Sequence, residues 1–281
     1  MNPVSILISN RDSYEAIQLT VESVRKYTDY PHKIIVFDDR SINKIDIEYL
    51  EDAQRKGQLD LYRNEGPHPI THGGSLNRLV NEICDTDYAV IMDCDVMIKQ
   101  KGWLNDFMKI ALSDENILAV VDTQEKGYTW KGFRTPMYYF WFGLLNMKAY
   151  NDSMRVNWIN TNGDASKEPY KSLFMDLGDA SKNDYFMSLV KQGKVILERW
   201  DKNTVSADSG AQLWIKVTYD NPKGYRVVPL PRILHEKHHH FGHASIIGYD
   251  AHSSEENAVT VQARIKFLKI INDLERLRCQ S

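Results

Sequence analysis

The sequence predicts an α/β fold: a mostly parallel sheet flanked by helices on both faces, followed by a C-terminal helix. Two observations carry this. Over residues 1–121, short apolar runs alternate with segments of helical periodicity, the pattern of a parallel sheet built from strand–helix–strand units. Three of those runs end in polar clusters, Ser9-Asn10-Arg11, Asp38-Asp39 and Asp93-Cys94-Asp95. Sheets of this kind bind ligands beyond the carboxyl ends of their strands.

Each element has its own reason. Val4 to Ile8 reads as a buried strand that stops in a polar loop. Asp12 or Ser13 would cap the next helix, which puts Ile17, Val21 and Val24 on one face. Pro31 breaks the chain, and Lys33 to Phe37 is the second strand. Ile45 to Arg55 is a helix stopped by Gly57, and Leu59 to Tyr62 is a weak third strand. Gly73 to Cys84 is a helix with Leu76, Leu79, Val80 and Ile83 inward. Tyr88 to Met92 is a strand, Trp103 to Leu112 a helix and Ile117 to Val121 a strand.

The second half is less regular. Pro136 to Met147 is aromatic-rich and reads as strand, and Asn157 to Glu168 as polar loop. Asp184 to Gln192 reads as a helix with Gly193 at its C-cap, and Val195 to Trp200 as a strand. Val227 to Leu234 is apolar with two prolines. Ser253 or Ser254, followed by Glu255 and Glu256, starts a last helix. Its apolar face is Val261, Ile265, Leu268, Ile271 (or Asn272 at that turn), Leu274 and Leu277.

Composition narrows the class. The chain has 281 residues, 42% hydrophobic and 26% charged, with a formal net charge of −3. These values exclude disorder, collagen and a disulfide scaffold. The charge balance gives no support to general nucleic-acid binding. Cys84, Cys94 and Cys279 are odd in number and lack CxxC spacing, which favours a reducing compartment. No basic region with a long apolar stretch opens the chain, and no window approaches the roughly 18 apolar residues of a membrane helix. The expectation is a cytoplasmic protein, with peripheral membrane contact left open.

Asp93 and Asp95 are the most informative pair. In an extended segment, residues i and i+2 point to the same side. Two carboxylates leaving a strand end together make an oxygen site for Mg²⁺ or Mn²⁺ and, through it, a diphosphate. The competing reading is an acidic loop tip; the position after a buried strand favours the metal. Asp38 and Asp39 would accept hydrogen bonds from a base or ribose, or else cap a turn. Gly73-Gly74-Ser75-Leu76-Asn77 opens a helix whose small residues let backbone N–H groups approach an anion, or simply form a turn.

His235 to His243 holds five of the nine histidines. One imidazole there could complete a shell around an Asp-bound Mn²⁺; a zinc site is the rival. Asp176, Asp179 and Asp184 surround a helix start, where one could be a general base and others caps. The aromatic run Tyr138 to Phe142 is core, or a platform for a sugar.

Together these residues resemble the family-2 glycosyltransferases with the GT-A fold. Ile6 to Asp12 looks like the family's opening strand and nucleotide loop. Ile34-Ile35-Val36-Phe37-Asp38-Asp39-Arg40-Ser41 resembles its "VVVDDGS" signature, and Gly73 to Asn77 its "GxAxN" helix start. Tyr88 to Asp95 resembles its "yvlflDaD". Asn183-Asp184 is similar to the "ED" motif, with Asn in place of Glu, while Met175-Asp176-Leu177-Gly178 looks like the "DxG" of other members. His240 to Ser245 resembles the late "HxgGxS" segment.

The resemblance implies a GT-A-like fold in one domain over 1–281. Residues 1–121 would be the nucleotide-sugar-binding half, 122–252 the acceptor and catalytic half, and 253–281 the C-terminal helix. It implies a metal-dependent glycosyltransferase acting from a nucleotide-diphosphate sugar onto an acceptor hydroxyl, with inversion. Ser9, Arg11, Asp38, Asp39, Gly74, Asn77 and Asp93 would bind the donor. Asp93, Asp95 and His240 would hold Mn²⁺ or Mg²⁺, and Asp184 or Asp176 would be the base. A glycan is the favoured acceptor. A nucleotidyltransferase and a non-catalytic nucleotide-sugar-binding module are the alternatives; Ser9-Asn10-Arg11-Asp12 lacks the glycine-rich loop of the first.

Overall fold

The run Val4–Asn10 (β1) is too apolar to face water on either side, and it lies buried along its whole length at the centre of a sheet. It belongs to a computed structural model that describes residues 2–122, 129–130, 133–134, 140–158, 161–164, 200–201, 204–207, 212–213, 216–217, 220–241 and 258–279. Helix α1 (Glu15–Tyr27) buries Ile17, Val21 and Val24, as the periodicity predicts. Its N-cap is Tyr14, with no side-chain cap bond. Asp12 and Ser13 do not cap because they are committed elsewhere. Asp12 Oδ1 accepts from the N–H groups of Ile42 and Asn43 at 2.8 and 2.9 Å, and the Ser13 hydroxyl bonds Asn10.

Strand β2 (His32–Asp38) follows, then α2 (Lys44–Arg55), whose N-cap Asn43 accepts from Ile45 N at 2.7 Å. Gly57 turns the chain at φ 65°, a conformation that favours glycine, into β3 (Asp60–Arg63). Helix α3 (His72–Arg78) is capped by Thr71 and runs into a π turn at Leu79–Ile83, where Cys84 N donates to Leu79 O at 2.9 Å. The single helix expected over Gly73 to Cys84 is therefore an α segment and a π turn. It turns Leu76, Leu79 and Val80 fully inward and leaves Ile83 partly buried.

Next come β4 (Tyr88–Asp93), β5 (Val96–Ile98), α4 (Trp103–Ala111) and β6 (Ile117–Val121). A small hairpin pairs β7 (Thr129–Trp130) with β8 (Phe133–Arg134). β9 (Phe142–Asn146) leads into the short α5 (Met147–Ala149) and a second π turn at Tyr150–Met154. β10 (Thr161–Asp164), β11 (Trp200–Asp201) and β12 (Thr204–Ala207) form a three-stranded antiparallel sheet, so the polar stretch expected as loop over Asn157 to Glu168 contains a strand. β13 (Arg226–Pro229), a 3-10 turn at Arg232–Lys237, β14 (His238–His240) and α6 (Ala258–Cys279) complete the described elements.

The main sheet has the order β13-β6-β9-β4-β1-β2-β3, and only β9 runs against the rest. Successive side chains on β1 serve opposite faces. Ile6 and Ile8 pack with α1 and α4, and Leu7 packs with α3 and Trp158. A third apolar cluster docks α6 onto α1 through Ala16, Leu19, Ala263, Phe267, Ile270, Leu274 and Leu277.

This corrects the expected face of the last helix. Val261, Ile265 and Leu268 are 42%, 64% and 57% exposed. The buried stripe is Ala263, Phe267 and Ile270, continuous with Leu274 and Leu277. Phe267 meets Tyr14 edge-on at 6.0 Å, and Arg278 pairs with Glu22 at 2.7 Å; both contacts fix that rotation. The expected helix at Asp184 to Gln192, its cap at Gly193 and the helix start at Ser253 or Ser254 lie outside the described residues. Among the described residues, no helix is long and apolar enough to cross a membrane.

Candidate active site

The strand order 4-1-2 brings the three polar strand ends abreast. Ser9 is level with Asp93 and Asn10 with Asp38. At the β2 end both carboxylates are buried and internally bonded. Asp38 Oδ1 accepts from Asn10 Nδ2 at 2.9 Å and from Ser41 Oγ at 2.6 Å. Asp39 Oδ1 accepts from Asn64 Nδ2 at 2.7 Å and from Ile70 N at 2.9 Å. These bonds bind the loops after β1, β2 and β3 into one floor. Arg11 is exposed at its rim, and Ser9 is buried.

Gly74 has a packing reason. A Cβ there would lie 3.2 Å from Ile70 Cβ, and its N–H already donates to Thr71 Oγ1 at 3.1 Å. Asn77 Oδ1 accepts from Asn81 Nδ2 at 2.8 Å, on the flank of α3 and its π turn.

Asp93 ends β4 and Asp95 lies in the tight turn that leads to β5, where the sequence pattern predicts extended chain. The turn still presents both carboxylates together. β14 pairs antiparallel with β5 and sets His240 opposite Val96. His240 Nε2 then lies 3.1 Å from Asp95 Oδ1 and 3.5 Å from Asp93 Oδ2. The imidazole stacks on Trp141 with centroids 4.3 Å apart and planes 10° apart. One ligand atom from each of Asp93, Asp95 and His240 falls within a 4.8 Å group. Burial opposes a charged His240, but the two carboxylates outweigh it and raise the imidazolium to about 10. Nε2 is buried and lacks a well-formed hydrogen bond. The two hard carboxylate oxygens fit Mn²⁺ or Mg²⁺, and such a cation would displace the Nε2 proton and leave a neutral imidazole able to join the set.

Sequence reasoning missed several neighbours. His72 Nε2 stands 3.7 Å from Asp93 Oδ1 at the start of α3. Asp122, just past β6, is buried; its carboxylate lies 2.5 Å from His238 Nε2 and 3.0 Å from His235 Nδ1. The histidine run therefore divides. His235 and His238 pack on Asp122, His240 meets the acid pair, and His239 sits 3.2 Å from Lys269. The signal for this was the two-residue period of β14, hidden in a run too short to read as a strand. Asp176, Asp179, Asp184 and His243 lie outside the described residues, as do Tyr138 and Tyr139. Phe140 and Phe142 are core.

The mostly parallel sheet flanked by helices, with an acidic, imidazole-bearing strand end, is the GT-A-like fold that the sequence predicts. The chain belongs to the family described as glycosyl transferase family 2, whose model matches residues 5–163, more than half of the sequence. No curated protein matches the sequence. Among solved structures, it is similar to the mannosyltransferase PcManGT from Pyrobaculum calidifontis, in complex with GDP-Man and Mn²⁺. That match has 16% identity over 54% of this chain and 46% of that one, with a TM-score of 0.44. It is also similar to S. aureus TarS 1-349, with 16% identity over 95% of this chain and 71% of that one and a TM-score of 0.45. A third is the glucosyl-3-phosphoglycerate synthase from Mycobacterium tuberculosis with Mn²⁺, UDP-glucose and phosphoglyceric acid. There the identity is 15% over 53% and 57% of the two chains, with a TM-score of 0.41. The match thus spans less than half the length of the mannosyltransferase.

Proposed function

We propose that this chain is a metal-dependent glycosyltransferase that moves a sugar from a nucleotide-diphosphate sugar to an acceptor hydroxyl with inversion. The observation that carries the reading is the convergence of Asp93, Asp95 and His240 at the end of β4. These three residues would hold Mn²⁺ or Mg²⁺, which when bound supplies positive charge against the leaving nucleoside diphosphate. Trp141 fixes the plane of His240 by stacking. Ser9 and Arg11 contact the donor from the β1 end, and the Asp38–Asp39 floor orients its nucleoside. Gly74 supports that floor by packing on Ile70, whose N–H donates to Asp39, whereas Asn77 bonds Asn81 along the helix. Asp184 or Asp176 accepts the proton of the attacking hydroxyl. We take the acceptor to be a glycan and the enzyme to work as one domain in the cytoplasm or at a membrane surface.

The test is a binding titration of the purified protein with UDP, GDP, CDP and dTDP, each with and without Mn²⁺, beside Asp95→Ala. We expect one nucleotide to bind only with Mn²⁺, and the variant to lose that binding with an unchanged circular dichroism spectrum. Equal binding by the variant would overturn the metal assignment. The matching nucleotide sugar then separates the alternatives. Release of a nucleoside diphosphate supports transfer, pyrophosphate release from a nucleoside triphosphate points to a nucleotidyltransferase, and binding without turnover points to a non-catalytic module.

A further inference from the structure

Beside α3 and its π turn lies a concavity of about 520 Å³, and none of its described lining residues belongs to the acid cluster. Four carboxamides line it: Asn77, Asn81, Asn157 and Gln212. Arg155 and Lys216 add two cations, and Val156 is the one apolar residue among the described lining. None of the described lining residues is acidic or aromatic.

One wall is built rather than incidental. Asn81 Nδ2 donates to Asn77 Oδ1 at 2.8 Å and to Val156 O at 2.9 Å, and its Oδ1 accepts from the Tyr150 hydroxyl at 2.9 Å. Tyr150 is wholly buried and also accepts from Trp158 Nε1 at 3.0 Å. The amides of this wall are thus held in place before any ligand arrives. The Arg155 guanidinium gives one Nη2 bond to Asn81 O at 2.7 Å, which accounts for one of five N–H donors. Lys216 pairs at 3.2 Å with Asp220, whose side chain is 75% exposed, a partner that costs little to exchange.

Carboxamides donate and accept at once, as neighbouring sugar hydroxyls do. A guanidinium and an ammonium match a carboxylate or a phosphate. We propose that this concavity is a subsite for an anionic saccharide, a sugar residue bearing a carboxylate or a phosphate, within the acceptor. Calling that ligand the acceptor rests on the glycosyltransferase reading above. The placement agrees with it. His72, near Asp93, Asn77 and Asn81 lie along one helical stretch, and at ~1.5 Å per residue the two asparagines stand roughly 7 and 13 Å along it from His72. A ligand here is a remote residue of the acceptor rather than the reacting one, and remote binding energy can be used in the transition state.

The test follows the side-chain amide NMR signals of Asn77, Asn81, Asn157 and Gln212 in the full chain. The probes are glucuronate, glucose 6-phosphate, glucose and inorganic phosphate, without metal or nucleotide. We expect glucuronate or glucose 6-phosphate to shift these signals, with binding about tenfold tighter than glucose. Lys216→Gln should weaken that binding about tenfold, and Arg155→Gln at least as much. Response to glucuronate alone assigns a carboxylate sugar, and response to glucose 6-phosphate alone a phosphorylated one. Equal response to glucose, response to inorganic phosphate as strong as to the sugars, or no response to any probe would overturn the subsite. The nucleotide titration is independent: saccharide binding with no nucleotide binding would sink the donor reading instead.

Discussion

Asp46 sits in the first turn of α2 with none of its surface exposed, and neither carboxylate oxygen has a well-formed hydrogen bond. Burial pushes its carboxyl from 3.8 up to about 8, with Ser13 and Asn10 opposing and the charges of Asp12 and Asp38 adding to the rise. The sign follows from proton uptake. The folded state keeps this proton while the unfolded state loses it near 3.8, so the contribution to stability is full below 3.8 and is lost as pH rises through about 8. We expect wild-type stability to fall with pH relative to Asp46→Asn, by about 1.4 kcal/mol per pH unit across that window. Denaturant unfolding of both proteins at several pH values checks this; parallel curves would mean that Asp46 is ionised in the fold. Nothing in the sequence marked Asp46, because an acid in the first turn of a helix reads as an ordinary dipole partner. Asp93 and Asp95 were legible as a pair because their strand end was; His240 was singled out of the histidine run only by its resemblance to the family's late histidine segment, since β14 itself could not be read. Asp38, Asp39 and Gly74 were legible as positions, but their internal bonds were not, since these depend on Asn10, Asn64 and Ile70 arriving from other loops.

At the scale of elements, α6 separates what periodicity can tell from what it cannot. Its helical character was plain. The buried face was not, because two apolar stripes share Leu274 and Leu277 in their last turns: Ala263-Phe267-Ile270 and Val261-Ile265-Leu268. Only the surface of α1 decides between them, through Ala16, Leu19 and Tyr14. Ile270→Ala should therefore cost about 2–5 kcal/mol, as a large-to-small change in a packed site. Ile265→Ser should stay within about 0.5 kcal/mol, as an exposed change. Chemical denaturation of the two variants gives the comparison, and a larger loss at Ile265 would place the helix in the other rotation. The strands of the first half were legible from their apolar runs. β5 and β14 were not, since each has three residues and is defined by pairing with the other across more than a hundred positions.

The whole molecule matters most at the candidate metal site, which no local segment contains. Asp93 and Asp95 come from the β4–β5 turn, and His240 from a strand 145 positions after Asp95, carried there by the sheet and by the His238–Asp122 contact. An unfolded chain holds no such group of ligands. A cation that binds the folded state alone stabilises it by RT ln(1 + [L]/Kd), about 2.7 kcal/mol at a hundredfold excess over Kd. For a chain of this size, that corresponds to a rise in Tm of roughly 5 °C. We expect Tm to climb with the logarithm of Mn²⁺ concentration above Kd in the wild type, and to stay flat in Asp95→Ala. The variant is informative because it leaves His235, His238 and His239 intact, three imidazoles that could bind a transition metal without the acid pair. An equal rise in both proteins would assign the metal to those histidines and remove it from the strand end. A rise in the wild type alone would show that Mn²⁺ reads the assembled sheet edge, as a donor diphosphate held there would require.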